Sequence, residues 1–347
     1  MHKNRIIKNE KKNIALKKEK VKGPKNFKKS IDLIKDYISK YFCVFKSINN
    51  IYHLIYLNRK SYIISYDLTN SKVITRIKLK DVDIEIKYFF DSIHKKDLIL
   101  LISFDHLKIF DISNWSIIVD IKESINNINK KREEGRGMNC CLLNNNNQNF
   151  IITSNYDSDY FRIYDFNGNK IKNIKTPNSI NIEIETYQDY IISGNINRCT
   201  SYNFNTKKFK HYEIDNQSSF ELKNIITFKN KKGENILIAK CRVHSNQYIV
   251  NHNIFIWDFK SSLLINKIVY KIIIEDPGLL LWNENYLIVG TSRLLKILDI
   301  SKNRFIKEIE TSNYFYNFKK ILHPKYGECL ILVNNSNFDN TIKILFD

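Results

Sequence analysis

The sequence predicts an all-β protein: a seven-bladed β-propeller of four-stranded antiparallel blades, preceded by a disordered basic tail. Three observations carry that expectation. First, a short apolar run ending in a large residue recurs along the chain, usually followed by Asp and another apolar residue. The clearest copies are KIFDI (108–112), RIYDF (162–166), FIWDF (255–259) and KILDI (296–300), and weaker ones are SYDL (65–68), SYNF (201–204) and KIL (343–345). Second, the large central residues are Tyr66, Phe110, Tyr164, Tyr202, Trp257, Leu298 and Leu345, separated by 44, 54, 38, 55, 41 and 47 residues. The mean, about 46, falls in the range of repeats that fold as one propeller blade each. Third, each copy sits among runs of strand length bounded by polar turns.

The elements follow in chain order. Residues 1–30 hold twelve Lys or Arg against two acids, a surplus of ten in a chain whose net charge is +20. With few large apolar side chains, residues 1–27 cannot bury enough surface to offset the entropy of ordering, so a disordered tail is expected. Gly23-Pro24 marks a break before the folded part. Two alternatives stand for what comes next. Residues 28–34 (KKSIDLI) read as a strand, whereas Ile31, Ile34, Ile38, Tyr41 and Phe42 also fall near helical spacing, with Ser30 as a cap.

The third repeat shows the blade pattern most openly. Residues 138–143 (MNCCLL) read as its first strand, 150–154 as the second, 161–166 as the third and 170–175 as the fourth. Near-continuous apolar runs in the second and third strands suit burial on both faces. Alternation of apolar and charged residues in the fourth suits a half-exposed outer strand. The same order recurs in repeat two (IEIKYFF, LILLIS, LKIFDI, SIIVDIK), four (INIEIE, YIISG, TSYNF, FKHYEI), five (IITF, ILIAK, IFIWDF, LINKIVY) and six (LLLW, YLIVG, LKILDI, FIKEIE). The two longest intervals are assigned to enlarged loops at 123–137 and near 229–234 and 243–253. Gly (9) and Pro (4) are scarce, and Asn is expected to take over turn positions because it tolerates left-handed backbone. The seventh repeat stops after its third strand. An N-terminal strand would complete it and remove the exposed sheet edge. Six or eight blades are the alternatives left by imprecise repeat boundaries.

Hydrophobic residues make up 43% and aromatics 13% of the chain, ample for a core. The six cysteines (Cys43, Cys140, Cys141, Cys199, Cys241, Cys329) include no CxxC pair and read as buried thiols of a reducing compartment. The N-terminus lacks the apolar stretch of a secretory signal, and no apolar run approaches the roughly 18 residues needed to span a bilayer. An intracellular protein, of cytoplasm or nucleus, is expected.

At these residues the chain resembles the WD-repeat family. ITSNYDSDYFRIYDF (152–166) is similar to that family's small residue, turn Asp and aromatic-Asp ending. LHPKYGECLILVNNSNFDNTIKIL (322–345) and LLISFDHLKIFD (100–111) give further matches. The resemblance implies that Asp105, Asp157 and Asp339 occupy the turn between second and third strands and hydrogen-bond within their blades. The family's third-strand Trp survives only at Trp257, and its Gly-His pair is absent, so the resemblance is to a divergent member. It covers about residues 28–347 and implies a scaffold that binds protein partners.

No catalytic motif is present: no GxxxxGK[ST], GxGxxG, GxSxG or HExxH. Neither catalytic residues, nor a metal site, nor a cofactor is expected, and no convergent charges are evident for a site at the ring's centre. The periodic Asp67, Asp111, Asp165, Asp258 and Asp299 read as strand-end residues. Tyr314, Phe315, Tyr316 and Phe318, with Trp115 and Trp282, read as packing residues or as exposed anchors. The Lys-rich tail is the other candidate site. Lys8, Lys11, Lys12, Lys17, Lys18, Lys20 and Lys22 would attract RNA or another polyanion by counterion release, without reading sequence.

Overall fold

A computed structural model describes residues 27, 29–35, 38–58, 60–79, 85–123, 138–155, 159–177, 183–194, 198–214, 220–243, 250–272, 278–291, 293–311, 314–335 and 341–347. The tail lysines, Asp157 and Asp339 lie outside the described residues, as does all but Glu123 of the expected loop at 123–137. Among the described residues, no helix is long and apolar enough to cross a membrane.

The chain opens on strand β1 (Lys29–Lys35). Blade 1 follows: β2 (Ile38–Lys46), β3 (Tyr52–Asn58), β4 (Tyr62–Asp67) and β5 (Lys72–Lys78). Blade 2 holds β6 (Glu85–Asp91), β7 (Lys96–Ile102), β8 (His106–Asp111) and β9 (Ser116–Lys122). Blade 3 holds β10 (Met138–Asn145), β11 (Gln148–Asn155), β12 (Tyr160–Tyr164) and β13 (Lys170–Lys175). Blade 4 is small: β14 (Glu183–Tyr187), β15 (Tyr190–Gly194), β16 (Cys199–Asn203) and β17 (Phe209–Tyr212). Blade 5 is large: β18 (Phe220–Lys229), β19 (Asn235–Val243), β20 (Val250–Asp258) and β21 (Leu264–Ile272). Blade 6 holds β22 (Leu279–Asn283), β23 (Tyr286–Thr291), β24 (Leu294–Asp299) and β25 (Arg304–Glu310). Blade 7 is β26 (Tyr314–His323), β27 (Gly327–Asn335) and β28 (Thr341–Phe346), completed by β1.

Each blade is a separate antiparallel four-stranded sheet. β1 pairs antiparallel with β28, Lys29 opposite Phe346 and Lys35 opposite Thr341. The closing strand therefore prevails over the helix. The reason is the edge of β28, whose backbone groups β1 pairs, while Phe42 and Cys43 of β2 alternate into opposite interfaces as strand neighbours do. Phe27, assigned to the tail in the sequence analysis, is buried against Trp282 (ring centroids 5.5 Å apart) and belongs to the folded part.

The core is divided among seven apolar clusters, and each joins one blade to the next. Blades 1 and 2 meet at Cys43, Ile55, Ile99 and Phe110. Blades 2 and 3 meet at Leu100, Ile109, Cys140 and Tyr164, and blades 3 and 4 at Cys141, Ile163, Ile184 and Tyr202. Blades 4 and 5 share Tyr212, Leu237, Phe255 and Trp257, and blades 5 and 6 share Ile238, Ile254, Leu287 and Leu298. Blades 6 and 7 meet at Trp282, Phe315 and Leu330, with Leu345 beside them. Blades 7 and 1 meet at Ile331, Ile344, Leu54 and Phe42, with Tyr66 beside them. That series returns to its start, so the sheets form a closed ring. It also explains the repeat: Tyr66, Phe110, Tyr164, Tyr202, Trp257, Leu298 and Leu345 each belong to the cluster their blade shares with the preceding one.

A polar belt reinforces the apolar seams. The Ile48 N–H donates to Asp97 (2.8 Å) across blades 1 and 2, and Asn149 donates to Asp91 (2.8 Å) across blades 2 and 3. Asn145 donates to Asp189 (3.0 Å) and the Tyr187 hydroxyl to Asn235 (2.8 Å). Lys231 pairs with Glu284 (3.5 Å), and Lys320 donates to the Trp282 carbonyl (2.9 Å).

Two local expectations are refined. Asn50, Asn146, Asn147 and Asn303 have φ between 49° and 61°, but Ser61, Ser71, Ser262, Lys95, Lys207 and Gln188 are left-handed too, so Asn takes only part of the turn positions that scarce Gly leaves. Residues 229–234, expected within an enlarged loop, form a tight hairpin in which Asn230 accepts the N–H groups of Lys232 and Glu234 (3.0 Å each). The long interval between Tyr202 and Trp257 is instead taken up largely by strands of nine or ten residues in blade 5, against four or five in blade 4.

Candidate functional site

The periodic aspartates are turn caps. Asp67 accepts the Thr69 N–H (2.8 Å), Asp111 that of Ser113 (2.9 Å), and Asp165 that of Asn167 (2.9 Å). Asp258 accepts the Ser261 N–H (2.6 Å) and Asp299 that of Lys302 (3.1 Å), and in blade 4 Asn203 does the same for Thr206 (2.7 Å). A short polar side chain that bonds its own backbone two or three residues on closes the turn from strand three to strand four. Asp105 sits in the turn between β7 and β8, its carboxylate 3.1 Å from His106 Nδ1 and its carbonyl accepting the Glu123 N–H. Trp257 donates its indole N–H to the Glu213 carbonyl (3.1 Å), tying blade 5 to blade 4. Phe315 and Phe318 are buried edge to face, a bulge between Phe315 and Asn317 bringing them to one side, while Tyr314 lies under Arg293. Trp282 is buried and Trp115 half-buried. All six cysteines are buried and none is in a disulfide. Among the described residues, no group of His, Cys, Asp or Glu is placed to hold a metal ion.

Two features lie beyond the sequence expectations. The first corrects the expectation that no charges converge at the ring's centre. Lys87 of β6 pairs with Glu85 (3.5 Å), donates to the Cys140 carbonyl (3.2 Å), and responds electrostatically to Glu183 and Glu185 of β14. Glu185 in turn feels Lys319 of β26. Blades 2, 4 and 7 are not neighbours, so only the axis, where innermost strands converge, can bring these groups within reach. Burial and the adjacent Glu185 push Glu183 up to about 8, against the relief given by Lys87. Burial also raises Glu185, again opposed by Lys87. Burial by itself would lower the Lys87 ammonium, but Glu85, Glu185 and Glu183 outweigh it and hold the group protonated. Chemically this is a set of carboxylates bridged by lysines that can retain a proton near neutral pH. The signal was present as Glu85-Ile86-Lys87 and Glu183-Ile184-Glu185, charged residues alternating within innermost strands. It could be read only once those strands were known to face one another.

The second feature is blade 5. With Tyr202 and Trp257 superposed as equivalent positions, β20 runs four residues, 250–253, past the start of β16. β21 follows it, and the neighbouring outer strand, β17, has only four residues. Blade 5 therefore stands proud of blade 4. Its outer hairpin leaves Leu263 70% and Val269 59% exposed, with Leu264 and Ile265 about half exposed. These four are the largest group of exposed apolar side chains on any one outer hairpin among the described residues, which marks the hairpin as a candidate docking surface.

No family model matches the sequence, and no curated protein matches it. Among solved structures, the chain is similar to a chain of Kuenenia stuttgartiensis hydrazine synthase, with a TM-score of 0.61 and 13% identity over 90% of this chain and 98% of that one. At that identity the likeness is one of fold: a seven-bladed propeller.

Proposed function

We propose that this propeller is a non-catalytic protein-interaction scaffold, a subunit or adaptor of a multiprotein complex, built on a divergent WD-repeat-like module. The observation that carries this reading is the contrast between a ring fastened at every seam and the outer hairpin of blade 5, which projects more apolar side chains into solvent than that of any other blade among the described residues. A rigid frame loses little entropy on binding, and an exposed apolar rim supplies the contact area. The axial charges are in keeping with it, because lysine and carboxylate partners largely neutralise one another. Co-purification of the tagged full chain with mass identification tests the reading. A stable stoichiometric complex is expected; a monodisperse monomer in extract would count against it.

A second reading rests on the clustering of half the net charge in residues 1–30. Here the tail is the electrostatic arm of an RNA- or ribonucleoprotein-associated propeller, for example a ribosome-assembly factor. Neutralising six phosphates would give a log–log salt slope of roughly −5. Removal of residues 1–26 should abolish RNA binding at low salt. Unchanged binding would reject the role of the tail.

A further inference from the structure

The charge of the ring itself is unevenly spread. In blades 2 and 6 the outer strand answers a third-strand lysine with an acid: Lys108 pairs with Asp120 (3.8 Å) and Lys296 with Glu308 (2.7 Å). Blades 3 and 4 do not. Their outer hairpins, residues 160–175 and 199–212, hold seven cations and a single acid, Asp165. That carboxylate caps its own turn by accepting the Asn167 and Asn169 N–H groups (2.9 and 2.8 Å). Arg162 is engaged by Glu123 (2.7 Å), but none of the six lysines makes an ion pair among the described residues. β5 of blade 1 also lacks acids, yet Asp32 and Asp120 stand on the outer strands to either side of it.

The lysines form a row. Lys170, Lys207, Lys208 and Lys260 are exposed at the turns from third to fourth strand of three consecutive blades. At the seam between blades 3 and 4 the Lys172 amine lies 4.5 Å from the centre of the Phe204 ring. Burial and the nearby Lys207 ammonium lower its proton affinity. At the next seam Lys210 donates to the Phe259 carbonyl (3.5 Å) and the Lys260 carbonyl, which carries the basic surface on to blade 5. Like charges held together across seams repel, and a bound polyanion would relieve that repulsion.

We infer that the outer rim of blades 3 to 5, built on Lys170, Lys172, Lys207, Lys208 and Lys260, binds the phosphate backbone of single-stranded RNA without reading its sequence. The inference rests on the RNA-associated reading and adds to it a surface on the ring. Protein interfaces are depleted in lysine, whereas nucleic-acid interfaces are polar and positively charged. Among the exposed side chains between the lysines are Asn173, Asn205 and Thr206, donors suited to phosphate and sugar oxygens. The rim is convex, because successive blades turn about the axis. A flexible strand follows that curve, while a duplex is stiff over so short a length. β1, which the tail precedes, belongs to blade 7, across the ring in blade order. The tail holds more charge and makes the first contact. The rim then meets a strand already held, at high effective concentration.

The test measures binding of the full chain to a uridine homopolymer of about 30 nucleotides by fluorescence anisotropy across a salt series. A chain carrying Lys170→Glu, Lys207→Glu and Lys208→Glu should bind roughly tenfold more weakly at low salt, and its log–log salt slope should be shallower by about one per lysine. A chain carrying Lys72→Glu, Arg76→Glu and Arg304→Glu undergoes the same change of net charge at exposed sites on blades 1 and 6. It should bind as the unaltered chain does. If the first variant melts at a lower temperature, the glutamine version of the same three positions replaces it and should shift binding in the same direction. Equal effects of the two variants, or none, overturn the inference. So does tighter binding of a duplex of the same length, or equal binding of polyglutamate with the same loss in the rim variant. Binding that ignores the rim variant but is lost with residues 1–26 would leave the tail reading standing and remove the rim. No binding of RNA by the full chain would remove both.

Discussion

The Asp67 carboxylate shows how one recurring residue is explained by its backbone. Burial by itself would raise its proton affinity, but the Asn70 side chain and the Thr69 and Asn70 N–H groups outweigh burial and hold it below its ordinary value. A group with a depressed folded-state pKa stabilises the fold above its unfolded value, and that contribution disappears as pH falls. Asp67→Ala should therefore cost about 1 kcal/mol at neutral pH. In denaturation followed by circular dichroism, the difference from wild type should shrink below about pH 4. Glu183 has the opposite sign. With its proton held up to about 8, the folded protein carries a proton that the unfolded chain has released, so stability declines as pH rises from about 4.5 to 8. Glu183→Gln keeps a neutral side chain at all pH. Its melting temperature should therefore gain on wild type by a few degrees between pH 6 and 8, and an unchanged difference across that range would refute the assignment. Both aspartate and glutamate were visible as letters. The periodicity of the aspartates disclosed their role, because each repeats a local turn. The glutamates disclosed nothing, because their partners are in other repeats.

At the scale of elements, blades differ chiefly in length and in how closely they approach. Blade 4 has short strands and a glycine at the end of β15. A Cβ at Gly194 would lie 2.8 Å from the Leu222 Cβ of blade 5, and Ile225 crowds the same space. Gly194→Ala should therefore cost about 1–3 kcal/mol through overpacking, read as a lower denaturant midpoint. Leu222→Ala should not rescue it, because alanine keeps the Cβ that makes the contact and leaves a cavity beside it. Strand order and the apolar seams followed from the sequence, since buried second and third strands and alternating fourth strands have distinct patterns. The length of blade 5 did not. An interval of 55 residues is equally compatible with long loops or long strands, and the choice was made by pairing: Phe220 opposite Val243 and Val250 opposite Ile272.

For the whole molecule, closure is the decisive event. β1 lies some 300 residues from β28 in sequence, so their pairing is the most non-local contact in the fold and carries a large loop-closure cost. It is offset by two apolar seams on either side of blade 7, with Phe27 set into one of them. Deleting residues 29–35 should expose the β28 edge and loosen both seams. The expected outcome is loss of a single cooperative melting transition and the appearance of aggregates in light scattering. A variant that remains monomeric with an unchanged midpoint would show that the ring does not depend on its closing strand.

What the amino-acid sequence determined by itself is everything that repeats. The blade module, the order of strands within it, the turn aspartates and the large third-strand residue are all local patterns, and local patterns recur wherever the same short-range physics applies; that the ring closes at seven blades rather than six or eight was decided by the pairing of β1 with β28. What only the tertiary structure decided is everything that depends on which repeats meet. The axial set of Glu85, Lys87, Glu183, Glu185 and Lys319, the projection of blade 5 beyond blade 4, and the choice of strand over helix at residues 29–35 and 38–42 arise from contacts between distant segments. Those contacts exist only because closing the ring brings into register side chains that no spacing along the chain relates.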